Sequence, residues 1–179
     1  IGIQDQYAVA YGGFNRYYFN SDDTVTIKPI KIKKAKTFQN NLLLFYTGTP
    51  RDSRSIFKEQ KETTKNKKEI LDKLIDITDK AMKCFENEEF DTIGTLLNES
   101  WMIKKQFASG VTNKEIDEMY SKAINAGALG GKILGAGGGG FLLLYVPKNK
   151  QKQVKDALKD YQQVTFTINN TGSSIVYED

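Results

Sequence analysis

The spacing of hydrophobic residues changes along the chain, and each spacing predicts a different element. Ile3, Tyr7 and Ala10 share one helical face, which predicts a helix from Ile3 to Tyr11 that ends at the glycine pair Gly12–Gly13. Apolar runs, continuous or alternating, predict strands at Phe14–Phe19, Thr24–Ile30, Leu42–Tyr46, Phe141–Val146, Gln163–Ile168 and Ser173–Tyr177. The first two strands flank a short polar turn, so we expect them to form a hairpin.

A helical period dominates the middle of the chain, and core packing is the expected role of its apolar stripes. The first predicted helix is capped by Asp52 or Ser53 and runs to about Glu62. The capping-box pattern Thr112–Glu115 predicts the start of another helix, which runs to Ala126. The remaining predicted helices are Ile70–Phe85, Phe90–Trp101 and a segment from about Asn149 to Tyr161. The polar stretch Lys31–Asn41 is expected to be a connection. Strands separated by helices, together with a local hairpin, indicate an α+β two-layer sandwich.

Composition narrows the class of protein. With 179 residues, 39% hydrophobic and 27% charged, the chain is long enough for one globular domain or for one domain and a piece of another. The net charge is +4, but the lysine clusters contain no aromatic stacking platforms, so we expect no nucleic-acid partner. A single cysteine, Cys84, excludes an internal disulfide and fits a reducing, cytoplasmic location. No apolar run reaches membrane-spanning length, so no membrane partner is expected.

Two features of the sequence limit its chemistry. The chain contains no histidine, which excludes a Ser-His-Asp triad and a histidine metal site, so no metal-binding residues are predicted within it. A general base would have to be Asp, Glu, Lys, Tyr or Cys. The sequence also starts at Ile1, inside an apolar pattern and without methionine, and we expect it to be a fragment of something longer.

The densest chemical signal is a glycine-rich segment near residue 135. Gly135, Ala136, Gly137, Gly138, Gly139 and Gly140 stand directly before the predicted strand Phe141–Val146. They match G-x-G-x-x-G, but the dinucleotide fingerprint requires a helix after it, and the P-loop requires Gly-Lys-Ser/Thr. Two interpretations remain open. The segment is either a hairpin turn between strands or a loop whose bare backbone approaches a phosphate.

Asp5 is the second candidate. It lies in the first turn of the first predicted helix, where the helix dipole favours a carboxylate, and such a carboxylate could accept a proton from a hydroxyl. Stabilisation of the helix end is the alternative explanation.

Together, the two segments resemble one known family. Gly2-Ile3-Gln4-Asp5-Gln6, followed by Gly-Ala-Gly-Gly-Gly-Gly-Phe at Gly135–Phe141, is similar to the GHMP small-molecule kinases. The stretches from Gly2 to Asn15, Leu43 to Arg51 and Leu96 to Trp101 most resemble the branch that phosphorylates D-glycero-D-manno-heptose 7-phosphate. The resemblance covers nearly the whole chain.

The resemblance carries expectations for fold and function. It implies that residues 1–38 end an N-terminal GHMP domain and that residues 39–179 form a ferredoxin-like C-terminal domain. It implies Asp5 as the catalytic carboxylate, with Gln4 beside the sugar, and the segment Gly135–Gly140 at the nucleotide phosphates. ATP and Mg²⁺ are the implied cofactors, with the main phosphate loop and the magnesium ligand upstream of Ile1.

The residues themselves add a hypothesis about the acceptor. Arg51 and Arg54 follow a predicted buried strand, and their N–H donors suit the 7-phosphate of a heptose phosphate. Solvation or pairing with Asp52 or Glu59 is the alternative. The resemblance implies that the function is transfer of the ATP γ-phosphate to the anomeric hydroxyl of the heptose 7-phosphate, with Asp5 as the catalytic carboxylate. The alternatives are a kinase of galactose or fucose and a non-catalytic ferredoxin-like binding module. The expected partners are a sugar phosphate, ATP, and a missing N-terminal half or a second copy of the chain.

Overall fold

The structure, a computed structural model, describes residues 3–49 and 68–177. In chain order its elements are α1 (Ile3–Tyr11), β1 (Asn15–Phe19), β2 (Val25–Pro29), α2 (Ala35–Asn40), β3 (Leu42–Tyr46), α3 (Lys68–Asn87), α4 (Phe90–Lys104), α5 (Lys114–Asn125), β4 (Gly130–Ile133), β5 (Phe141–Tyr145), α6 (Gln151–Ala157) and β6 (Gln163–Val164). Single 3₁₀ turns at Ser109–Val111 and Lys148–Lys150 precede α5 and α6.

Four strands form the central antiparallel sheet in the order β4-β5-β3-β6. Strand β3 pairs with β5 over its full length, from Leu42 opposite Tyr145 to Tyr46 opposite Phe141. Among the described residues, helices α3, α4 and α5 lie between β3 and β4, and α6 lies between β5 and β6. This order and connectivity are those of a ferredoxin-like sheet. The predicted α+β class is therefore confirmed.

Both faces of the sheet are apolar, because β3 and β5 place alternate side chains on opposite sides. On one face Leu43, Phe45 and Leu144 pack with residues of α5 and α6, such as Met119 and Val154. On the other face, Leu42 and Tyr145 pack with residues of α2, α3 and α4, namely Phe38, Ile77, Cys84, Phe90, Ile93 and Leu96. The continuous apolar runs in the sequence follow from this burial on two sides.

The hairpin β1–β2 forms a separate two-stranded sheet. Its strands pair from Asn15 opposite Pro29 to Phe19 opposite Val25. Arg16 of β1 stacks on the ring of Tyr18 and forms an ion pair with Asp79 of α3, so the hairpin is tied to the helices of the central sheet. The predicted domain boundary after residue 38 falls inside α2 and stays a prediction.

Several predicted elements differ from those observed. Ser173–Tyr177 forms no strand, and the strand predicted at Gln163–Ile168 has only its first two residues. Of this segment, only Gln163 and Val164 pair with β3, whereas Phe166 and Ile168 pack their side chains on the second apolar cluster.

Three other predictions need correction at the level of helices and caps. The stretch predicted as a connection contains the short helix α2, which buries Phe38. Helix α6 is shorter than expected and begins after a 3₁₀ turn. The cap of α5 is Asn113, whose side chain accepts a hydrogen bond from the Ile116 N–H, and Thr112 instead donates to Asp117. The helix predicted at about 53–62 lies outside the described residues.

Candidate functional site

The glycine-rich segment joins β4 to β5 as a hairpin loop. We call residues Leu134–Gly140 the glycine loop. Strands β4 and β5 are antiparallel neighbours, and the Leu134 N–H donates to the Phe141 carbonyl at 2.9 Å. Gly135, Gly137, Gly138 and Gly140 have φ values of +81°, +109°, +75° and +90°, which residues with a Cβ rarely adopt. The hairpin interpretation is therefore correct for the backbone, and it leaves the phosphate hypothesis open.

Part of the need for glycine comes from the protein itself. A Cβ on Gly137 would lie 2.6 Å from the carbonyl oxygen of Val111, and a Cβ on Gly139 would overlap the carbonyl oxygen of Thr49. The loop is thus wedged between the turn at Ser109–Val111 and the segment that follows β3. The backbone of Gly137 and Gly139 is therefore in close contact with other segments of the same chain.

Backbone hydrogen bonds fix the loop in this wedge. The Gly138 N–H donates to Val111 O at 2.8 Å, and the Gly140 N–H donates to Thr49 O at 3.1 Å. The N–H groups of Gly137 and Gly139 donate to no acceptor within the described part of the chain, although both residues are buried. Buried N–H groups need acceptors, and the oxygens of a phosphate are suitable ones. The loop therefore fits a nucleotide phosphate by its donors.

Two side chains also hold the loop. The hydroxyl of buried Thr47 donates to Gly140 O at 3.0 Å, and the Thr47 N–H donates to the same oxygen at 2.9 Å. At the other end of the loop, the Lys104 ammonium donates to Gly135 O at 2.5 Å. Because Lys104 is in the last turn of α4, this contact connects the helix end to the first glycine of the loop.

Asp5 lies in the first turn of α1, as predicted. Asp5 and Gln4 are both exposed, and α1 buries none of its residues. Its apolar side chains Ile3, Val9 and Tyr11 are more than half exposed. The C-terminal segment crosses the end of this helix, since the Gly13 N–H donates to Asn169 O at 2.8 Å. A carboxylate in this position is accessible to a small molecule.

Lys132 connects the two predicted parts of the site. It lies on β4, opposite Leu143 of β5 and three residues before Gly135. Burial lowers the pKa of its ammonium, and the charge of Asp5 acts in the opposite direction. Lys132 forms no ion pair or hydrogen bond with the described residues. A partly buried cation on the strand that leads into the glycine loop, without a direct partner among the described residues, suits an anionic ligand.

Other predicted site residues cannot be placed. Arg51 and Arg54 lie outside the described residues.

Across residues 3–49 and 68–177, no group of three or more Asp, Glu, Cys or His side chains could hold a metal ion. The described residues therefore fit ATP phosphates but contain no cluster suited to Mg²⁺. No helix in the described ranges is long and apolar enough to span a membrane.

The sequence interpretation missed Thr47, Lys104, Val111 and Lys132. Only Lys132 could have been identified from the sequence, because it is the one charged residue among the glycines and apolar residues from Gly127 to Tyr145. The roles of the others depend on contacts between distant segments.

Comparisons with known proteins identify the family of the domain. Residues 81–163 match the family model described as GHMP kinases C terminal. The chain is 33% identical to D-glycero-alpha-D-manno-heptose 7-phosphate kinase of Campylobacter jejuni, over 90% of this chain and 49% of that protein.

Two solved structures are similar in fold. A D-glycero-D-manno-heptose 1-phosphate kinase of Bacteroides thetaiotaomicron gives a TM-score of 0.58 at 27% identity, over 96% of this chain and 47% of that one. Mevalonate kinase of L. major in complex with R-mevalonate gives 0.68 at 21% identity, over 87% and 47%. This chain spans about half the length of these relatives. The chain therefore carries the C-terminal domain of the GHMP kinases.

Proposed function

We propose that this chain is part of an ATP-dependent sugar-phosphate kinase that phosphorylates the anomeric hydroxyl of D-glycero-D-manno-heptose 7-phosphate. The observation that carries the proposal is the arrangement of Asp5, Lys132 and the glycine loop. Asp5 is an accessible carboxylate whose charge favours the ammonium form of Lys132. Lys132 lies on the strand that leads directly into the loop, where the buried N–H groups of Gly137 and Gly139 have no acceptor among the described residues. The name of the Campylobacter jejuni relative supports the choice of heptose.

Phosphoryl transfer requires positioning, charge neutralisation and an oriented nucleophile. In the proposed reaction the anomeric hydroxyl oxygen bonds to the γ-phosphorus, and the bond from that phosphorus to the leaving ADP oxygen breaks. Asp5 accepts the hydroxyl proton. The N–H groups of Gly137 and Gly139 and the ammonium of Lys132 provide positive charge for the phosphate oxygens. ATP supplies the phosphoryl group, and Mg²⁺ would require ligands outside the described residues.

The substrate can be tested with a chimera, since the chain spans about half of the relative. The half of the Campylobacter jejuni enzyme that this chain does not match would be joined to it, and ADP release would be measured with a coupled assay. We expect turnover with heptose 7-phosphate and none with galactose, fucose or mevalonate. Preference for one of the other acceptors would reject the heptose assignment. A folded chimera that binds ATP but phosphorylates none of them would reject the kinase proposal for this chain.

A further inference from the structure

A charged side chain donates a hydrogen bond to the first glycine of the glycine loop. Lys104 Nζ lies 2.5 Å from Gly135 O. Gly138 and Gly140 are held by backbone groups and by the neutral Thr47 hydroxyl. Hydrogen bonds from charged donors are shorter and stronger than neutral ones. The end of α4 therefore holds the point at which the chain leaves β4 and enters the loop.

The helix that carries Lys104 is firmly placed beneath the loop. Trp101, one turn earlier, is fully buried and belongs to the same apolar cluster as Val111 and Ala136. Further back on α4, Gly94 and Asn98 contact Gly130 of β4 so closely that a Cβ on Gly130 would overlap the Gly94 carbonyl oxygen. A lysine on this helix therefore extends from a rigid base.

The bond also sets the direction of a peptide unit. In a planar trans peptide the C=O and the following N–H point in opposite directions. With Gly135 O fixed on Lys104, the Ala136 N–H points away from Lys104. The φ of +81° at Gly135 shows that this orientation belongs to a backbone state that is open mainly to glycine. Without the ammonium, the Gly135–Ala136 peptide would lose the contact that selects this orientation.

We infer that Lys104 is a positioning residue, which holds the glycine loop in its observed conformation and adds positive charge for a phosphate at the start of the loop. The second part of this inference rests on the proposed function, whereas the first part concerns the loop alone. The adjacent Lys105 provides a matched control. It has the same charge and also lies at the end of α4, but its ammonium binds Asp117 Oδ1 at 3.1 Å and not the loop.

The test uses the whole 179-residue chain and amide hydrogen exchange read by NMR. The reporters are the Gly138 and Gly140 N–H groups, whose acceptors Val111 O and Thr49 O hold the loop in place. In Lys104→Met we expect both amides to exchange about fivefold faster or more, as the loss of one hydrogen bond would produce. Lys104→Arg, which keeps a cationic donor, should restore slow exchange, and Lys105→Met should leave both amides unchanged. Unchanged exchange in Lys104→Met, or an equal effect in Lys105→Met, would overturn the inference.

A second measurement on the same samples separates this inference from the proposed function. The loop amides would be titrated with ATP and magnesium, and the dissociation constant read from their chemical shifts. We expect Lys104→Met to weaken binding about threefold to tenfold and Lys105→Met to have little effect, because one charge-assisted contact near the anion is lost. Faster exchange in Lys104→Met without ATP binding by the wild-type chain supports the positioning role and counts against phosphate binding at this loop. Tight binding that Lys104→Met leaves unchanged overturns the electrostatic part.

Discussion

Asp5 is the charged neighbour that favours the ammonium form of Lys132, whereas burial of Lys132 disfavours it and lowers its pKa. Asp5 lies on the exposed helix α1, and Lys132 lies on β4, directly before the glycine loop. Charge thus links two segments that are far apart in the sequence. Opposite charges interact more strongly where water is partly excluded, as it is around Lys132. The first prediction follows from this cost of burial.

Replacement of Lys132 by Met should raise the melting temperature at neutral pH, because the chain no longer buries an ammonium. The folded-state pKa of Lys132 lies below that of free lysine. At pH values between the pKa of Lys132 in the folded chain and that of free lysine, the unfolded chain binds more protons than the folded chain. The free energy of unfolding therefore rises with pH over this range. The gain from Lys132→Met should therefore be largest at pH values below the folded-state pKa of Lys132 and shrink towards about pH 10, near the ordinary pKa of lysine.

Melting curves recorded by circular dichroism between neutral and alkaline pH would check this prediction. Exposed Lys152 of α6 is the matched control, and Lys152→Met should leave the melting temperature nearly unchanged. A lower melting temperature for Lys132→Met at neutral pH would show that the ammonium stabilises the fold. The argument that the Lys132 ammonium serves to bind an anionic ligand would then fail.

Replacement of Asp5 by Asn should lower the turnover number of the chimera by about 10²–10⁴-fold, the usual contribution of a positioned general base. ATP affinity should be largely retained, since Asp5 is proposed to face the sugar. Initial rates with varied heptose 7-phosphate, together with calorimetric titration of ATP, would measure both quantities. Turnover close to wild type would leave Asp5 as a residue that only stabilises the first turn of α1.

The wedge around the glycine loop changes the expectation for its variants. From the sequence, a Cβ at Gly137 or Gly138 would be expected to impair nucleotide use far more than stability. At Gly137 this expectation is wrong, because the added Cβ meets the backbone of Val111. Gly137→Ala should lower the free energy of unfolding by about 2–4 kcal/mol, from overpacking and the positive φ together.

Gly48→Ala separates the two contributions to that loss. Gly48 has a φ of +78°, but a Cβ there would meet nothing within 4 Å among residues 3–49 and 68–177. Its variant should lose only about 1–2 kcal/mol from the strained backbone. Urea unfolding of both variants would test the difference. Equal losses would mean that the Val111 contact relaxes at no cost.

The sequence leads to the hypothesis that Arg51 or Arg54 binds the distal phosphate of the acceptor, and kinetics can test it. If either side chain binds the 7-phosphate, its replacement by Ala should raise the Michaelis constant for heptose 7-phosphate and leave that for ATP unchanged. The comparison substrate is heptose without the phosphate, whose kinetics should not change. If both sugars are affected equally, the distal phosphate is bound elsewhere.

The isolated chain should have no kinase activity and only weak affinity for ATP. The described residues would supply one wall of the proposed phosphate site, and they contain no acidic cluster for magnesium. The exposed apolar side chains of α1 and of Phe19 should also make the chain associate with itself or with an N-terminal piece. Calorimetry with ATP and magnesium, a coupled assay and light scattering would measure these properties. Tight ATP binding by the lone monomer would place the nucleotide site within this chain.

The sequence by itself determined the elements whose signals are local. Leu42–Tyr46 is a strand because a short continuous apolar run suits burial on two faces, and α1 ends at Gly12 because glycine readily adopts the positive φ found there. The place of Asp5 in the first turn and the left-handed backbone of the glycine loop were predictable for the same reason. Each depends on residues that are neighbours in the chain.

Only the tertiary structure decided which distant groups meet. Ser173–Tyr177 has the composition of a strand, but a strand forms only where a partner edge is available, and β3 pairs with just two residues of the preceding segment. Lys104 and Lys105 are identical in sequence terms, yet one binds the glycine loop and the other binds Asp117. The carbonyl groups of Val111 and Thr49 confine Gly137 and Gly139, and every residue has such a carbonyl. Their effect depends on position in space, which packing sets and local sequence does not.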